Sequence, residues 1–484
     1  MPLSRDTDDQ KQPTPRDAPQ LSAEIFLIPL DAQRHIVYAP LRRSAFIANA
    51  KVVRFLAAVQ AGRWDSSADP DGSITGFLRE LGMLDAGEEL PPIRPFVGPP
   101  EPNAVTLLLT TGCNLRCTYC YASSGELPAR FMSMDVARRG VDFVAANAAR
   151  RGLPHFEVSF HGPGEPTLNW AVLTGSVAYA REKASEFGIQ LQTSVATNAV
   201  FTDQQIDWIV AHLTGAMVSL DGLPSVHDAH RITAGGAGSS ERVIHTLRRF
   251  DKAGFGYGVR MTVMASNIAA LPDSVDFVYS NFRPSGIQIE PVYHLGRGRD
   301  AASAETGEFV AAFRAARERA LRHGRMISFS AARVDSLAIH YCGLSQDSFC
   351  LTPEGTVTGC YEVCSLDNRW APLFFYGEPN GQDGYKFHLP VLDHLRSLTV
   401  VNRRYCRACF ARWHCSGDCY HKSLDLSGGG EFAGAGRCHI TRELTKDQIL
   451  QHIVDSGGLF WRGLPNPPRN LAGQEEDGGF TRGT

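Results

Sequence analysis

From residue 106 onward, short apolar runs alternate with longer stretches in which apolar residues recur every three or four positions. TLLLT (106–110), FEVSF (156–160), IQLQTSVAT (189–197), AMVSL (216–220), GVRMTV (258–263) and IQIEPV (287–292) have the length and pattern of strands. Between the first two, Ser133 caps a segment whose apolar positions Met134, Ala137, Val141, Val144, Ala145 and Ala148 keep a helical period. WAVLTGSVAYAREKASEF (170–187) and SERVIHTLRRFDKAG (240–254) predict further helices. Right-handed crossovers fold six such alternations into a parallel sheet or partial barrel. Six units are fewer than the eight of a closed barrel, so one side is expected to stay open. Ligands in such folds sit beyond the C-terminal ends of the strands.

The flanks read differently. AEIFLIPLDAQRHIVYAP (23–40) predicts two strands joined by a polar turn, SAFIANAKVVRFLAAVQAG (44–62) a helix ending at Gly62, and ITGFLRELGML (74–84) a second helix. Residues 23–95 are therefore expected to form a small α+β unit, followed by the linker GPPEP (98–102). The polar, Pro-rich residues 1–22 are expected to be disordered. The alternating region spans 103–300, and 301–340 carries a bridging helix (305–323). Residues 341–440 form a loop-rich, cysteine-rich segment. The last stretch, 441–484, holds a helix (440–457 at its widest) and a Gly-rich tail expected to be mobile.

Composition narrows the function classes. Forty-eight Lys and Arg against 51 Asp and Glu give a net charge of −3, with no basic stripe, which argues against nucleic acid as a main partner. No apolar run approaches the ~18 residues of a membrane helix. The N-terminus has no signal-peptide core. The expectation is a cytoplasmic protein without a membrane partner.

Twelve cysteines change the picture most. Three lie at 113–120, nine between Cys342 and Cys438, and none from 121 to 341. Two dense clusters in a large chain point to metal ligation rather than disulfides. Cys113, Cys117 and Cys120, spaced C-x3-C-x2-C, sit just after the first strand, at the expected mouth. Three thiolates can hold three irons of a cubane and leave the fourth open, as catalysis at a metal requires. Zinc would want a fourth ligand, with His155 and His161 as distant candidates.

With Tyr119 as the aromatic, C-x3-C-x-(aromatic)-C resembles the signature of radical S-adenosylmethionine (SAM) enzymes. That resemblance implies a partial (β/α)6 barrel and a [4Fe–4S] cluster whose free iron is chelated by SAM. It also implies reductive cleavage to a 5′-deoxyadenosyl radical that takes a hydrogen atom from substrate. HGPGEPT (161–167) resembles the family's GGEP segment, which implies a SAM-binding role for Gly162, Gly164 and Glu165, although Pro163 stands where glycine is commoner. Asn198, Ser219 and Tyr119 match further positions at the SAM site. Arg231 is a candidate partner for the SAM carboxylate, with a surface ion pair as the alternative.

Cys406, Cys409, Cys415 and Cys419 form C-x2-C-x5-C-x3-C; Cys342, Gly355 and Cys360 form C-x12-G-x4-C; Cys438 follows a gap. This arrangement resembles the SPASM extension of radical SAM enzymes and implies two auxiliary [4Fe–4S] clusters, three in all. By that resemblance Cys342, Cys350, Cys360 and Cys419 hold the first and Cys406, Cys409, Cys415 and Cys438 the second. Cys364 is left free or replaces Cys350. On spacing alone, two closed zinc sites would also fit.

SPASM enzymes act mainly on peptides and proteins. The expected function is a maturase of a ribosomally made precursor peptide, installing a carbon–carbon, ether or thioether cross-link. Sulfatase maturation to formylglycine, peptide epimerisation and a non-catalytic iron–sulfur electron carrier are the alternatives. The N-terminal unit loosely resembles a winged-helix peptide-recognition element that binds a leader segment as an added strand; a structural cap is the other reading. An electron donor such as flavodoxin or ferredoxin is implied. Candidate pocket residues at strand ends are His161, Glu290, Tyr293 and His294, with Glu290 a candidate general base or an ion-pair residue.

Overall fold

The computed structural model describes residues 18–22, 24–87, 96–381, 384–458 and 460–462. The disorder expected of residues 1–17 and the tail beyond 462 lie outside them. The chain divides into two compact units.

The first unit comprises Met1–Ile93, Val334–Leu337 and Thr445–Pro468. Its sheet begins with β1 (Phe26–Pro29) and β2 (Arg34–Ala39), the expected hairpin. Next comes β3 (Ser44–Asn49), antiparallel to β2, in a stretch expected to be wholly helical. The apolar run Ala45–Ala48 is too short to fix its own period. Asn49 sets the boundary instead: its side-chain oxygen accepts from the N–H groups of Lys51 and Val52 at 3.0 and 3.2 Å, so the helix starts at Ala50. Helices Ala50–Gln60 and Ser73–Glu80 cover the sheet through Phe55, Leu56 and Leu78, packed with Val37 and Phe46. Residues 18–22 were expected to be disordered, yet Leu21 bridges Leu84 and the Ser22 N–H donates to the Met83 carbonyl.

The second unit contains the parallel series β4 (Ala104–Leu108), β5 (His155–His161), β6 (Gln190–Thr197), β7 (Gly215–Ser219), β8 (Tyr257–Val263) and β9 (Ile287–Pro291), hydrogen-bonded in that order. This is the expected mixed α/β architecture with a large parallel sheet. Ser133 caps helix Met134–Arg150 through its hydroxyl, which accepts from the Val136 N–H. Along β5 the strand period divides two faces. Phe156, Val158 and Phe160 join Val144, Leu173 and Val177 in the main core, while Glu157, Ser159 and His161 turn to the opposite, polar face. Register extends that face: Ser219, Arg260 and Gln288 form one row across β7–β9, with Thr262 and Glu290 in the next.

The sheet does not stop at six strands. β10 (Ile327–Ser328) adds parallel to β9, and β11 (Cys350–Leu351) adds parallel to β4. Antiparallel β12 (Val357–Thr358), β13 (Phe375–Asn380) and β14 (Gly384–Phe387) complete eleven strands. The segment 341–440 is thus less loop-rich than expected. Two-residue strands carry no readable period, and the Gly and Pro of β13 imitate a turn. The last helix, Gly436–Asp455, begins early enough to carry Cys438. In the first unit, β15 (Phe460–Arg462), within the stretch expected to be a mobile tail, pairs antiparallel with β3 to give the order β1-β2-β3-β15. Among the described residues no helix is long and apolar enough to cross a membrane.

Candidate active site

The loop after β4 carries the three clustered cysteines and is held from two sides. On one side the β5–β6 connection lies against it: the Gly164 N–H donates to the Thr110 carbonyl and the Glu165 N–H to the Gly112 carbonyl, at 3.3 and 2.8 Å. A Cβ on Gly164 would run into both carbonyls, whereas one on Gly162 would meet nothing closer than 3.5 Å. Gly164 therefore serves loop-to-loop packing. Gly164→Ala is expected to cost about 1–3 kcal/mol, as overpacking does, seen as a lower Tm with less bound iron after reconstitution. An unchanged Tm and iron content would show that the loops part without penalty.

Glu165 is buried beneath this contact. Its carboxylate accepts from the hydroxyls of Thr197 and Thr167 and from the Asn198 N–H at 2.8–2.9 Å. Burial raises its pKa, and these hydrogen bonds offset only part of the rise. The Asn198 side-chain amide donates to Asn114 at 2.8 Å and lies 3.9 Å from the Cys113 sulfur.

On the other side, Tyr119 ties the loop to the end of β7. Its hydroxyl donates to Asp221, which also accepts from Arg231 at 2.9 and 3.3 Å and from the Thr262 N–H at 3.0 Å. The Arg231 guanidinium lies over the Tyr119 ring, 5.2 Å from its centroid. Burial alone would raise the Asp221 pKa, but Arg231 and then His227 outweigh it and the net shift is downward. Arg231 is thus in an ion pair, and a buried one rather than the surface pair of the sequence reading. Ser219 ends β7 in register with Arg260.

The thiols are unpaired by disulfides. Cys113 is pushed up to about 12, first by burial, then by the Glu165 charge, with Cys117 and Cys120 adding to it. Three sulfurs that feel one another, with backbone and amide N–H groups beside Cys113, are a donor set suited to a cubane with one open corner. His155 begins β5 and His161 ends it, roughly 20 Å away at the usual rise per residue, so both cannot join Cys113–Cys120 around one zinc.

The later cysteines fall into groups. The Cys406, Cys415 and Cys438 thiols are each raised first by burial and in part by the nearby Cys409, and Cys415 also by Cys406 and Cys438, so these four sulfurs stand together. Cys342 stands close enough to Cys360 and Cys419 to raise both, and Cys419 raises Cys360, after burial in each case. Cys350 points elsewhere: it is buried on β11 beside Ser348 and Thr106, and its influence reaches Cys364. Next to Cys360 stand Glu362 and His421 instead, with one ligand atom from each of the three within 4.8 Å of the others.

The polar face of the sheet, the lumen side of a partial barrel, carries a charged cluster. Glu290 lies next to last in β9; its carboxylate pairs with the Arg437 charge at 2.8 Å and accepts from Gln288 at 2.9 Å, the Ser330 N–H at 3.0 Å and the Tyr293 hydroxyl at 3.3 Å. Burial acts to raise its pKa, but Arg437 and Arg260 hold it down at about 2. So weak a proton acceptor favours the ion-pair role of Glu290 over the general-base role. Arg437 also donates to Asp418 at 2.8 Å. Tyr293 lies under the Lys422 ammonium, 3.1 Å from the ring centroid. His161 accepts from the Gly162 N–H at 2.8 Å and packs on Tyr361, its pKa lowered by burial to about 4, so it is neutral. His294 is exposed, bound to the Arg299 carbonyl and Ser303, and stands apart from this cluster.

Residues 107–278 match the family model of the Radical SAM superfamily. The chain carries a radical SAM domain. A match of this kind implies SAM and a [4Fe–4S] cluster, and Cys113, Cys117 and Cys120 lie inside the matched region. The sporulation killing factor maturation protein SkfB of Bacillus subtilis is 27% identical over 183 residues, 36% of this chain and 39% of SkfB. The mycofactocin maturase MftC of Mycobacterium tuberculosis is 29% identical over 206 residues, 41% of this chain and 47% of MftC. Both matches span less than half of the relative's own length. The solved structure of anSMEcpe with bound AdoMet and Cp18Cys peptide has a TM-score of 0.57 at 17% identity, covering 73% of this chain and 99% of that one, a likeness of fold.

Four charged residues escaped sequence reasoning: Arg260 inside the radical SAM domain, and Glu362, Lys422 and Arg437 beyond it. A faint signal existed for three of them. Glu362 lies between Cys360 and Cys364, Lys422 follows Cys419 by three, and Arg437 precedes Cys438.

Proposed function

We propose that this chain is a radical SAM maturase that oxidises a ribosomally made peptide, joining two of its side chains by a carbon–carbon, ether or thioether bond. The observation that carries the reading is the gathering of Cys113, Cys117 and Cys120 on one loop at the mouth, with Asn198 against Cys113. A bound [4Fe–4S] cluster with SAM supplies one-electron cleavage of the sulfonium and hence a carbon radical able to take a hydrogen atom from substrate. The chain's own residues position that chemistry. Glu165 and Tyr119 fix the loop from either side, and the neutral His161 and the ring of Tyr293 line a lumen screened by fixed ion pairs.

Cross-linking removes two hydrogens from the peptide: one as an atom, the other as a proton and an electron. Two auxiliary clusters are natural acceptors for that electron. Cys406, Cys409, Cys415 and Cys438 would hold one of them, and Cys342, Cys360 and Cys419 would form the core of the other. That brings the proposed count to three clusters. A flavodoxin or ferredoxin would supply the reducing electron. The names of SkfB and MftC, a maturation protein and a maturase, support a substrate of this class. The N-terminal unit, through an edge strand of its sheet, would hold the leader segment.

The test is anaerobic incubation of the reconstituted protein with SAM, dithionite and the peptide encoded beside this chain. The expected result is 5′-deoxyadenosine and a peptide lighter by two hydrogens. A peptide of unchanged mass that has taken up solvent deuterium would replace cross-linking by epimerisation. SAM left intact would reduce the chain to an electron carrier.

A further inference from the structure

Three arginines stand near the lumen, and two are committed: Arg231 to Asp221 and Arg437 to Glu290 and Asp418. The third, Arg260, is different. It sits mid-strand in β8, where Val259 and Met261 face the core and Arg260 faces the polar side. Among the described residues no hydrogen bond or ion pair reaches its guanidinium. The carboxylates close enough to act on it, Glu290 and Glu362, are already occupied. Glu290 takes three donors and the Arg437 charge, and Glu362 takes His421 at 3.1 Å and Lys422 at 3.2 Å. The groups around it are rings: Tyr293, Tyr361 and the neutral His161.

A half-buried guanidinium with no protein acceptor has its donors free for a ligand. Its planar fork matches a carboxylate in two parallel hydrogen bonds. We propose that Arg260 anchors the side-chain carboxylate of an Asp or Glu in the peptide substrate, seating the reacting residue inside the lumen. This rests on the peptide-maturase reading above. The carboxylate of SAM is the other source of the same chemistry. The groups that act most on Arg260 come from β9 and the Cys360 segment, which favours the peptide, while its pairing with Ser219 next to the Asp221-bound Thr262 keeps SAM as the source the test must separate.

The test uses the full chain, loaded with clusters anaerobically and saturated with SAM. Acetylated hexapeptide amides differing only in a central Glu, Gln or Lys are titrated calorimetrically. The Glu peptide should bind on the order of tenfold more tightly than the Gln peptide. Arg260→Gln should erase that preference, Arg260→Lys should keep part of it, and Arg260→Glu should turn it towards the Lys peptide. Iron content and Tm check that each variant is folded. Equal affinities in the wild type, no binding of any of the three, or a preference that survives Arg260→Gln would overturn the assignment. So would a tenfold loss of SAM affinity in Arg260→Gln with the peptide preference intact. Formation of 5′-deoxyadenosine by the wild type separates the two levels. Cleavage without a carboxylate preference sinks the role of Arg260 alone, and absence of cleavage sinks the wider function.

Discussion

Cys113→Ala abolishes SAM cleavage: 5′-deoxyadenosine formation falls by more than about a thousandfold, a barrier increase of about 4 kcal/mol or more. The reason is the ligand count. Cys113, Cys117 and Cys120 are the whole thiolate set of their loop, and the next group stands on a different segment. Losing one leaves two sulfurs, too few to hold a cubane while keeping a corner open for SAM. Iron and sulfide analysis should show one cluster fewer, with the others retained. Cys364→Ala is the contrast, since Cys364 joins Cys350 rather than either later group. It should keep its full iron. Cys113→Ala with wild-type iron and wild-type 5′-deoxyadenosine would remove the basis for placing chemistry on this loop.

Arg437→Met lowers the Tm of the second unit by about 5–10 °C, reflecting about 3–5 kcal/mol lost when a buried ion pair is broken from one side. Arg437 bridges Glu290 and Asp418, both at 2.8 Å, so its removal strands two carboxylates away from water. Removing both members of one pair, as in Arg437→Met with Glu290→Leu, should recover part of the loss, because no charge is then stranded at Glu290. The sign of the pH effect follows from Glu290. Its folded pKa, about 2, lies below the ordinary 4.5. Its contribution is therefore complete above 4.5 and fades only as the pH falls from there towards 2. The Tm penalty of Glu290→Gln should thus be the same from about pH 5.5 to pH 8. A penalty that changes within that range would return Glu290 to the role of a titrating base, and calorimetry of the two proteins across the range decides.

Much of this was legible in the sequence, for physical reasons. β5–β9 are long enough, and their helices periodic enough, for local pattern to fix them. Ser133 marks its helix start because the cap is a local hydrogen bond. The three-cysteine loop is legible because its ligands are adjacent in sequence. What escaped was set by distance along the chain. β3 looks helical until its pairing with β2 is known. β10 and β11 have two residues each, and only a neighbouring strand makes them strands. Arg260 reads as an ordinary charge in β8, and its isolation appears only when Glu290 and Glu362 are seen to be engaged elsewhere. Tyr119 could be read as a motif aromatic, but not that it reaches Asp221, 102 positions away.

The pairing of Phe460–Arg462 with Ser44–Phe46 has one more consequence. It fills the rim that β3 would otherwise offer to a visiting strand. A guest laid along this four-stranded sheet must use the outer side of Phe26–Pro29, whose last residue has no N–H to give, or the three residues of the closing strand, or else peel that strand away. A strand can therefore add at β3 only as Phe460–Arg462 leaves it.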